Sequence, residues 1–387
     1  MSERRYIVNP TFRPQLMFTT RVKSEQIKPM QIDIAKLPQM ANLLLKVAAA
    51  RANGNVGGEE FQQHIDFLVQ AGILISADVA PNEVAPRFPL STSLLEFVPG
   101  KWRAEVPRHV SINREHVFIQ TTTPRPETPW PGIPPWTGFP NELPLIWVFD
   151  PGTQMWAAYH ADEAIVSLIE KVDSTNGLDP QLRELLWHAR IVIADDYLQS
   201  HIRHWDAAFD TAHESIEQEG FAVLRQVISP LQIAAARQYA RSLEREGYFQ
   251  IDQQQRFYKH NDELFRFLHR QTGYLLRRVT GETIIPSYTY LSAYRENAEL
   301  ERHVDRPQCV WNASLLIDTN RDDDDGRTWP IFLDTINGQR EIRLDLGDAV
   351  VYRGADVPHW RPQASEGERQ TLVLLHYVPF DFTGSLD

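Results

Sequence analysis

The chain has 387 residues, a formal net charge of −12, 42% hydrophobic and 23% charged residues, ten Trp and a single Cys. That length exceeds the usual size of one hydrophobic core and predicts two or three domains, with apolar material ample for packing. The acidity argues against a sequence-independent nucleic-acid binder; with no run apolar enough for a membrane span or signal peptide, and only Cys309, so no intramolecular disulfide, a reducing cytoplasm is expected.

Residues 34–50 have helical periodicity through Leu37, Leu43, Leu44 and Val47, and Gly54-Asn-Val-Gly-Gly58 makes a turn. A second helix over 59–70 carries Phe61, Ile65, Leu68 and Val69 on one face, and 71–75 ends in a short strand. Helix, turn, helix and strand predict a small helical or winged-helix-like domain over 1–90. It is similar to the small winged-helix domains that hold leader peptides in ribosomal-peptide modification systems. That resemblance implies peptide docking and loss of turnover when 1–90 are removed; the plainer reading is a helical cap that only packs on the rest. The first hundred residues hold ten Lys/Arg and nine Asp/Glu, leaving 29 (39 − 10) against 42 (51 − 9), so the acidity lies in the remainder. A near-neutral unit beside it is compatible with separate docking.

Residues 91–160 read as a Pro/Trp-rich connecting region with some strands. Eight prolines with Trp130, Trp136 and Phe139 between 124 and 144 exclude regular ladders there and predict an extended connector. A helical region over 161–216 follows, and 220–228 resumes as strand. Ser229-Pro230 has the cap and first-turn chemistry of a new helix, and a long helix over 262–280 offers Leu264, Phe265, Leu268 and Leu276 to buttress a sheet. Strand patterns recur at 284–294, 310–317, 329–333, 349–353, 355–361 and 369–378. Asp322-Asp-Asp-Asp325 lacks the glycine position of a calcium loop and reads as a solvated connection. The fold class is therefore α+β: a double-stranded β-helix (jelly roll, cupin-like) over 217–387, buttressed by helices.

His-x-Asp occurs five times, at His64/Asp66, His160/Asp162, His204/Asp206, His260/Asp262 and His303/Asp305. Residues i and i+2 share a side of a strand but diverge by about 200° on a helix. His64 and His204 fall in helical runs, and Asp162 and Asp262 look like helix starts. Only His303/Asp305 sits among strands. With His359 it supplies two imidazoles and a carboxylate, the donor set that occupies one face of an Fe(II) octahedron. The pair His201/His204 is the rival site, with Asp206 poorly phased for it. On the last strand Arg369 and Thr371 share a face, His376 being on the other. A guanidinium beside a hydroxyl suits the distal carboxylate of a dicarboxylic keto acid; Arg353 and Arg361 are next in line for that role.

With Tyr294, His303/Asp305, His359, an arginine ten residues on and a hydroxyl residue two beyond it, the chain resembles the Fe(II)/2-oxoglutarate-dependent dioxygenases, prolyl-hydroxylase-like and phytanoyl-CoA-hydroxylase-like branches, over 217–382. The resemblance implies His303, Asp305 and His359 as iron ligands and Arg369, Thr371 and Tyr294 at the 2-oxoglutarate. It also implies O₂-dependent oxidation of an unactivated C–H bond in a small molecule, peptide or protein side chain, with succinate and CO₂ released. The paired glycines that many relatives carry before the strand at 329–333 are missing. Tyr288, Tyr290, Arg306, Trp311 and Trp360 are the candidate substrate wall. Competing readings are a non-catalytic ligand- or peptide-binding jelly roll, which would be free to lose a member of the ligand set or Arg369, and a cupin-type metal isomerase or hydrolase, which would not need Arg369 and Thr371 side by side. A homodimer is compatible with all of them.

Overall fold

A computed structural model describes residues 6–8, 74–76, 86–103, 105–120, 144–171, 177–252, 256–321 and 328–387. The chain divides into two compact units, Met1–Glu83 and Val84–Asp387. In the first, β1 (Tyr6–Val8) and β2 (Leu74–Ser76) pair antiparallel with Ile7 opposite Ile75. The helices expected at 34–50 and 59–70, and with them the winged-helix reading, lie outside the described residues, as do most of the proline-rich run and the tetra-aspartate stretch.

The boundaries expected near 160 and 216 fall inside the second unit, where one buried apolar cluster draws residues from Phe88 to Tyr377. Its first part contains β3 (Phe88–Pro89), β4 (Ser111–Ile112), β5 (Val117–Gln120), β6 (Leu145–Asp150) and β7 (Met155–His160). They form a four-stranded sheet in the order β3-β7-β6-β5, with β4 outside it. Every residue of β6 is buried, so this region is core rather than connector. Next come α1 (Glu163–Lys171), α2 (Pro180–His188), β8 (Val192–Ile193), which pairs with β4, and α3 (Tyr197–Glu219). Asp162 caps α1 by accepting from the Ile165 N–H, and Gly220 ends α3 at φ 81°, a conformation that only glycine adopts cheaply.

β9 (Phe221–Leu224) leads into α4 (Pro230–Arg245), which opens on a capping box: Ser229 Oγ accepts from Gln232 N–H while Gln232 Oε1 accepts from Ser229 N–H. After β10 (Gln250–Ile251) and β11 (Phe257–His260), the expected long helix is two, α5 (Glu263–Gln271) and α6 (Gly273–Thr280). The break is at Thr272, whose hydroxyl donates back to the Leu268 and His269 carbonyls and lies 2.6 Å from Tyr377 Oη. Such back-bonding competes with helix continuation.

The remaining strands are β12 (Ile284–Tyr294), β13 (Leu300–His303), β14 (Trp311–Thr319), β15 (Ile331–Thr335), β16 (Gly338–Ile342), β17 (Ala349–Tyr352), β18 (His359–Arg361) and β19 (Gln370–Pro379). They build a larger sheet, β10-β11-β12-β19-β14-β17-β9, and a smaller one, β13-β18-β15-β16, the two faces of a jelly roll. The strand expected from residue 355 begins only at His359; the Val357 N–H bonds back to the Arg353 carbonyl in a turn before it. α4, α5 and α6 cover the outer face of the larger sheet, and β14, with all nine residues buried, runs beside the central β19. The inner faces of the two sheets enclose the cavity that holds the candidate site. Among the described residues no helix is long and apolar enough to cross a membrane.

Candidate metal centre and its cavity

β13 and β18 pair so that His303 stands opposite His359, with ring centroids 4.3 Å apart. Asp305 follows just beyond the end of β13, fixed by its N–H donating to the Gly354 carbonyl at 2.8 Å. Each imidazole is oriented from behind. His303 Nδ1 lies 2.7 Å from the Glu301 carbonyl, and His359 Nδ1 lies 2.9 Å from the Val357 carbonyl. A carbonyl can only accept, so in each ring Nδ1 carries the hydrogen and Nε2 of the neutral ring presents a lone pair. Both Nε2 atoms converge on Asp305 Oδ1, at 3.5 and 3.6 Å. These gaps are too long for strong hydrogen bonds and leave room for a shared cation.

Electrostatics favour the metal-binding protonation states of His359 and Asp305 and oppose that of His303. Burial lowers the pKa of His359, keeping it neutral. For Asp305 burial would raise the carboxyl, but His303, His359 and His376 outweigh it and hold it below the usual carboxylate value. His303 is raised, chiefly by Asp305. Proton and metal therefore compete for the same imidazoles, and affinity must fall in acid. Asp305, Cys309 and His376 also approach one another. Burial, with Asp305 adding to it, pushes the Cys309 thiol up to about 12, so that at neutral pH it is an uncharged thiol.

The centre opens into a cavity of about 310 Å³. β12 contributes Tyr288, Tyr290 and Tyr294; β14 contributes Asn312 and Ser314; β19 contributes Leu372, Leu374 and His376; Arg256, Arg306 and Arg361 bring cations. Three buried polar atoms on its wall, Asp305 Oδ2, Asn312 Oδ1 and His376 Nδ1, have no hydrogen-bond partner among the described residues. Buried polar groups left unpaired are costly, so several together on one cavity wall fit a polar occupant. The donor set suits Fe(II) or another divalent first-row ion, two imidazoles and one carboxylate on one side with open positions opposite.

Of the residues singled out from the sequence, His303, Asp305, His359, Tyr294, Tyr288, Tyr290 and Arg306 come together here. Trp311 and Trp360 do not. Trp311 donates from Nε1 to Glu282 beneath the Arg353 guanidinium, and Trp360 stacks on Phe332 at 5.5 Å. Each neighbours a cavity residue in sequence, and on a strand that sends it to the opposite face.

Arg369 and Thr371 share a face, as alternation requires, but it is the outer one. They line a separate cavity of about 140 Å³ with Arg241, Arg295, Asp318, Thr319 and Asn320, and Arg369 Nη2 donates to Glu244 Oε2 at 3.3 Å. The face of β19 that looks inward is the one carrying Leu372, Leu374 and His376.

Arg361 is the most deeply buried of the three arginines on the cavity wall. It is almost wholly buried, its guanidinium lies over the Trp329 and Tyr294 rings at 5.1 and 6.0 Å, and it donates to the Trp329 carbonyl at 2.9 Å. No carboxylate pairs with it among the described residues, whereas Arg353 is engaged by Glu282 and Asp356. Its position two residues after His359 on the same strand was the available signal. Arg256, Asn312 and His376 carried no comparable mark. The rival pair is accounted for otherwise: His201 Nε2 lies 2.8 Å from Asp150 Oδ1 and His204 is exposed.

Gly354 sets the clearance behind the carboxylate. A Cβ there would collide with Asp305 Oδ2 and stand 2.9 Å from the Cys309 carbonyl. Gly354→Ala is expected to weaken Fe(II) binding by about tenfold or more, the scale of disturbing a ligand's support, while circular dichroism stays native. Unchanged affinity in an anaerobic Fe(II) titration would show that Asp305 is not held by this contact.

No family model matches the chain, and no curated protein matches it in sequence. In fold, it is similar to solved structures that include prolyl hydroxylases and a 2OG-Fe(II) oxygenase family oxidoreductase from Burkholderia pseudomallei. Among them is a Pseudomonas putida prolyl-4-hydroxylase (13% identity, 43% of this chain and 98% of that one, TM-score 0.37). A Trichoplax adhaerens prolyl hydroxylase, solved with a hypoxia inducible factor oxygen degradation domain peptide fragment, gives 12% identity, 46% and 92% coverage and TM-score 0.39. AviO1 from Streptomyces viridochromogenes Tue57 gives 19% identity, 46% and 97% coverage and TM-score 0.37. The likeness spans less than half of this chain and is one of fold.

Proposed function

We propose that the Val84–Asp387 unit is an Fe(II)- and 2-oxoglutarate-dependent oxygenase that hydroxylates, or otherwise oxidises, an unactivated C–H bond. The observation that carries this is one cavity holding both the converging His303, Asp305 and His359 donors and the buried, carboxylate-free guanidinium of Arg361. When bound, Fe(II) with 2-oxoglutarate supplies O₂-dependent oxidation coupled to release of succinate and CO₂. The chain's own residues do the rest. His303, Asp305 and His359 hold the ion, their rings aimed by the Glu301 and Val357 carbonyls.

Arg361 receives a carboxylate of the cosubstrate. It uses one of its five N–H donors on Trp329, and its planar fork matches a carboxylate in two parallel hydrogen bonds. Tyr294 and Trp329 back that guanidinium and exclude water from it. This gives Arg361 the role the sequence assigns to Arg369, which faces the other way. The inner end of the cavity, at His359 and Arg361, is buried, whereas His303 at its mouth is over a third exposed, leaving an entry path for a substrate.

The test is anaerobic titration of the full chain with Fe(II) and then 2-oxoglutarate, followed by O₂ and succinate assay. A metal-to-ligand charge-transfer band and succinate formation are expected. Metal binding with no band and no succinate would point to an isomerase or hydrolase, and no metal binding to a non-catalytic jelly roll.

A further inference from the structure

Among the described residues four charged side chains line the cavity: Asp305, Arg256, Arg306 and Arg361. Arg256 is already matched, donating from Nε to Asp252 Oδ2 at 2.8 Å. With Fe(II) (+2), Asp305 (−1), Arg361 (+1) and doubly ionised 2-oxoglutarate (−2) in place, the centre sums to zero. Arg306 is then the one uncompensated charge, because no carboxylate pairs with it among the described residues. We propose that Arg306 holds a carboxylate of the primary substrate, which is therefore a small organic acid; this rests on the oxygenase reading above.

Arg306 is exposed but not loose. Its Nη2 donates to Tyr288 Oη at 2.7 Å and its guanidinium lies 4.9 Å over the Tyr288 ring. Tyr288 is held in turn by His260 at 5.2 Å and His376 at 4.7 Å between ring centroids, and its hydroxyl lies 2.8 Å from Cys309 Sγ. The backbone is equally constrained, since Arg306 lies between a metal-ligand candidate and Pro307, which limits its own φ and ψ. A fixed guanidinium one residue from the metal centre positions an acid group at a set distance from the reacting carbon.

Charge and shape favour a carboxylate over a phosphate. A single planar fork satisfies one unit of charge, whereas a phosphate monoester brings about −1.5 to −2 and would call for a second free cation. Tyr288 and Tyr290, edge to face at 5.5 Å, offer an apolar wall for the acid's body. A volume of about 310 Å³ is at the small end of ligand cavities and is shared with the cosubstrate.

The experiment measures binding by calorimetry without O₂, to the Mn(II)-loaded full chain with and without saturating 2-oxoglutarate. The probes are phenylacetate, 3-phenylpropionate and straight-chain C3 to C8 carboxylates, each paired with its primary amide. The best-fitting acid is expected to bind about tenfold or more tightly than its amide, Arg306→Gln to erase that preference, and Arg306→Lys to restore part of it. The preference should persist in Arg361→Gln, which separates the two cations. No acid-over-amide preference across the panel, or a preference that survives Arg306→Gln, overturns the proposal. An acid preference in a protein lacking the charge-transfer band would instead retain this anion site and remove the oxygenase reading.

Discussion

Asp305→Ala is expected to abolish Fe(II) binding, weakening it by at least about a hundredfold, the upper end of the loss caused by removing mere outer-shell support. Among the described residues Asp305 is the lone carboxylate on the cavity wall, and it is the point on which both Nε2 atoms converge. Its removal would leave two imidazoles facing an ion with no charge to offset. Asp206→Ala is the control, because Asp206 pairs with Arg278 at 3.4 Å on an outward helical face. Asp162→Ala should cost helix-cap stability of about 1 kcal/mol but no metal affinity. Equal loss of Fe(II) binding in either control would mean that the ion sits elsewhere. Asp305→Asn separates charge from shape, since it keeps an oxygen in place and removes the anion.

Arg361→Leu is expected to raise the 2-oxoglutarate concentration needed for the charge-transfer band by roughly ten- to a hundredfold, the scale of about 1.5–3 kcal/mol for a charge-assisted contact. Fe(II) affinity should change little. Arg369→Leu should leave both near wild type, because Arg369 is half exposed and pairs with Glu244 outside the cavity. Arg361→Lys retains the charge without the fork and should fall between. Folding is expected to tolerate Arg361→Leu, since a buried guanidinium with no carboxylate partner contributes little stability and leaves no stranded anion behind. The reverse pattern, with Arg369→Leu impaired and Arg361→Leu normal, would mean that β19 carries its other face to the cosubstrate.

Much of the site was legible because local rules decide it. Phasing alone did not single out His303/Asp305, since His160 and His260 end β7 and β11 just as His303 ends β13; what separates the pairs is that Asp162 and Asp262 cap helices, as their positions predicted. The capping chemistry of Ser229 and Pro230 marked the start of α4. The strand expected at 284–294 is β12 itself. In each case the deciding interaction lies within a few residues of chain, where period and capping preference are written directly into the sequence.

Other features depended on what packs against the chain. A period of two determines that Arg369 and Thr371 point together, and that Trp360 opposes His359 and Arg361, but not which side is inside. On a half-solvated strand the apolar face would reveal it. β19 lies in the middle of the larger sheet with eight of its ten residues buried, covered by helices on one side and the cavity on the other, so both faces are apolar and the orientation signal is absent. The break at Thr272 likewise follows from a contact with Tyr377, over a hundred residues away. The sequence by itself located β12, β14, β15, β17 and β19, though not β10, β11 or β16, and nominated His303, Asp305 and His359 as residues able to bind a metal. Only the pairing of β13 with β18 and the covering of β19 decided that Arg361 and His376 face the cavity while Arg369 does not, because an inside exists only once two sheets have closed on one another.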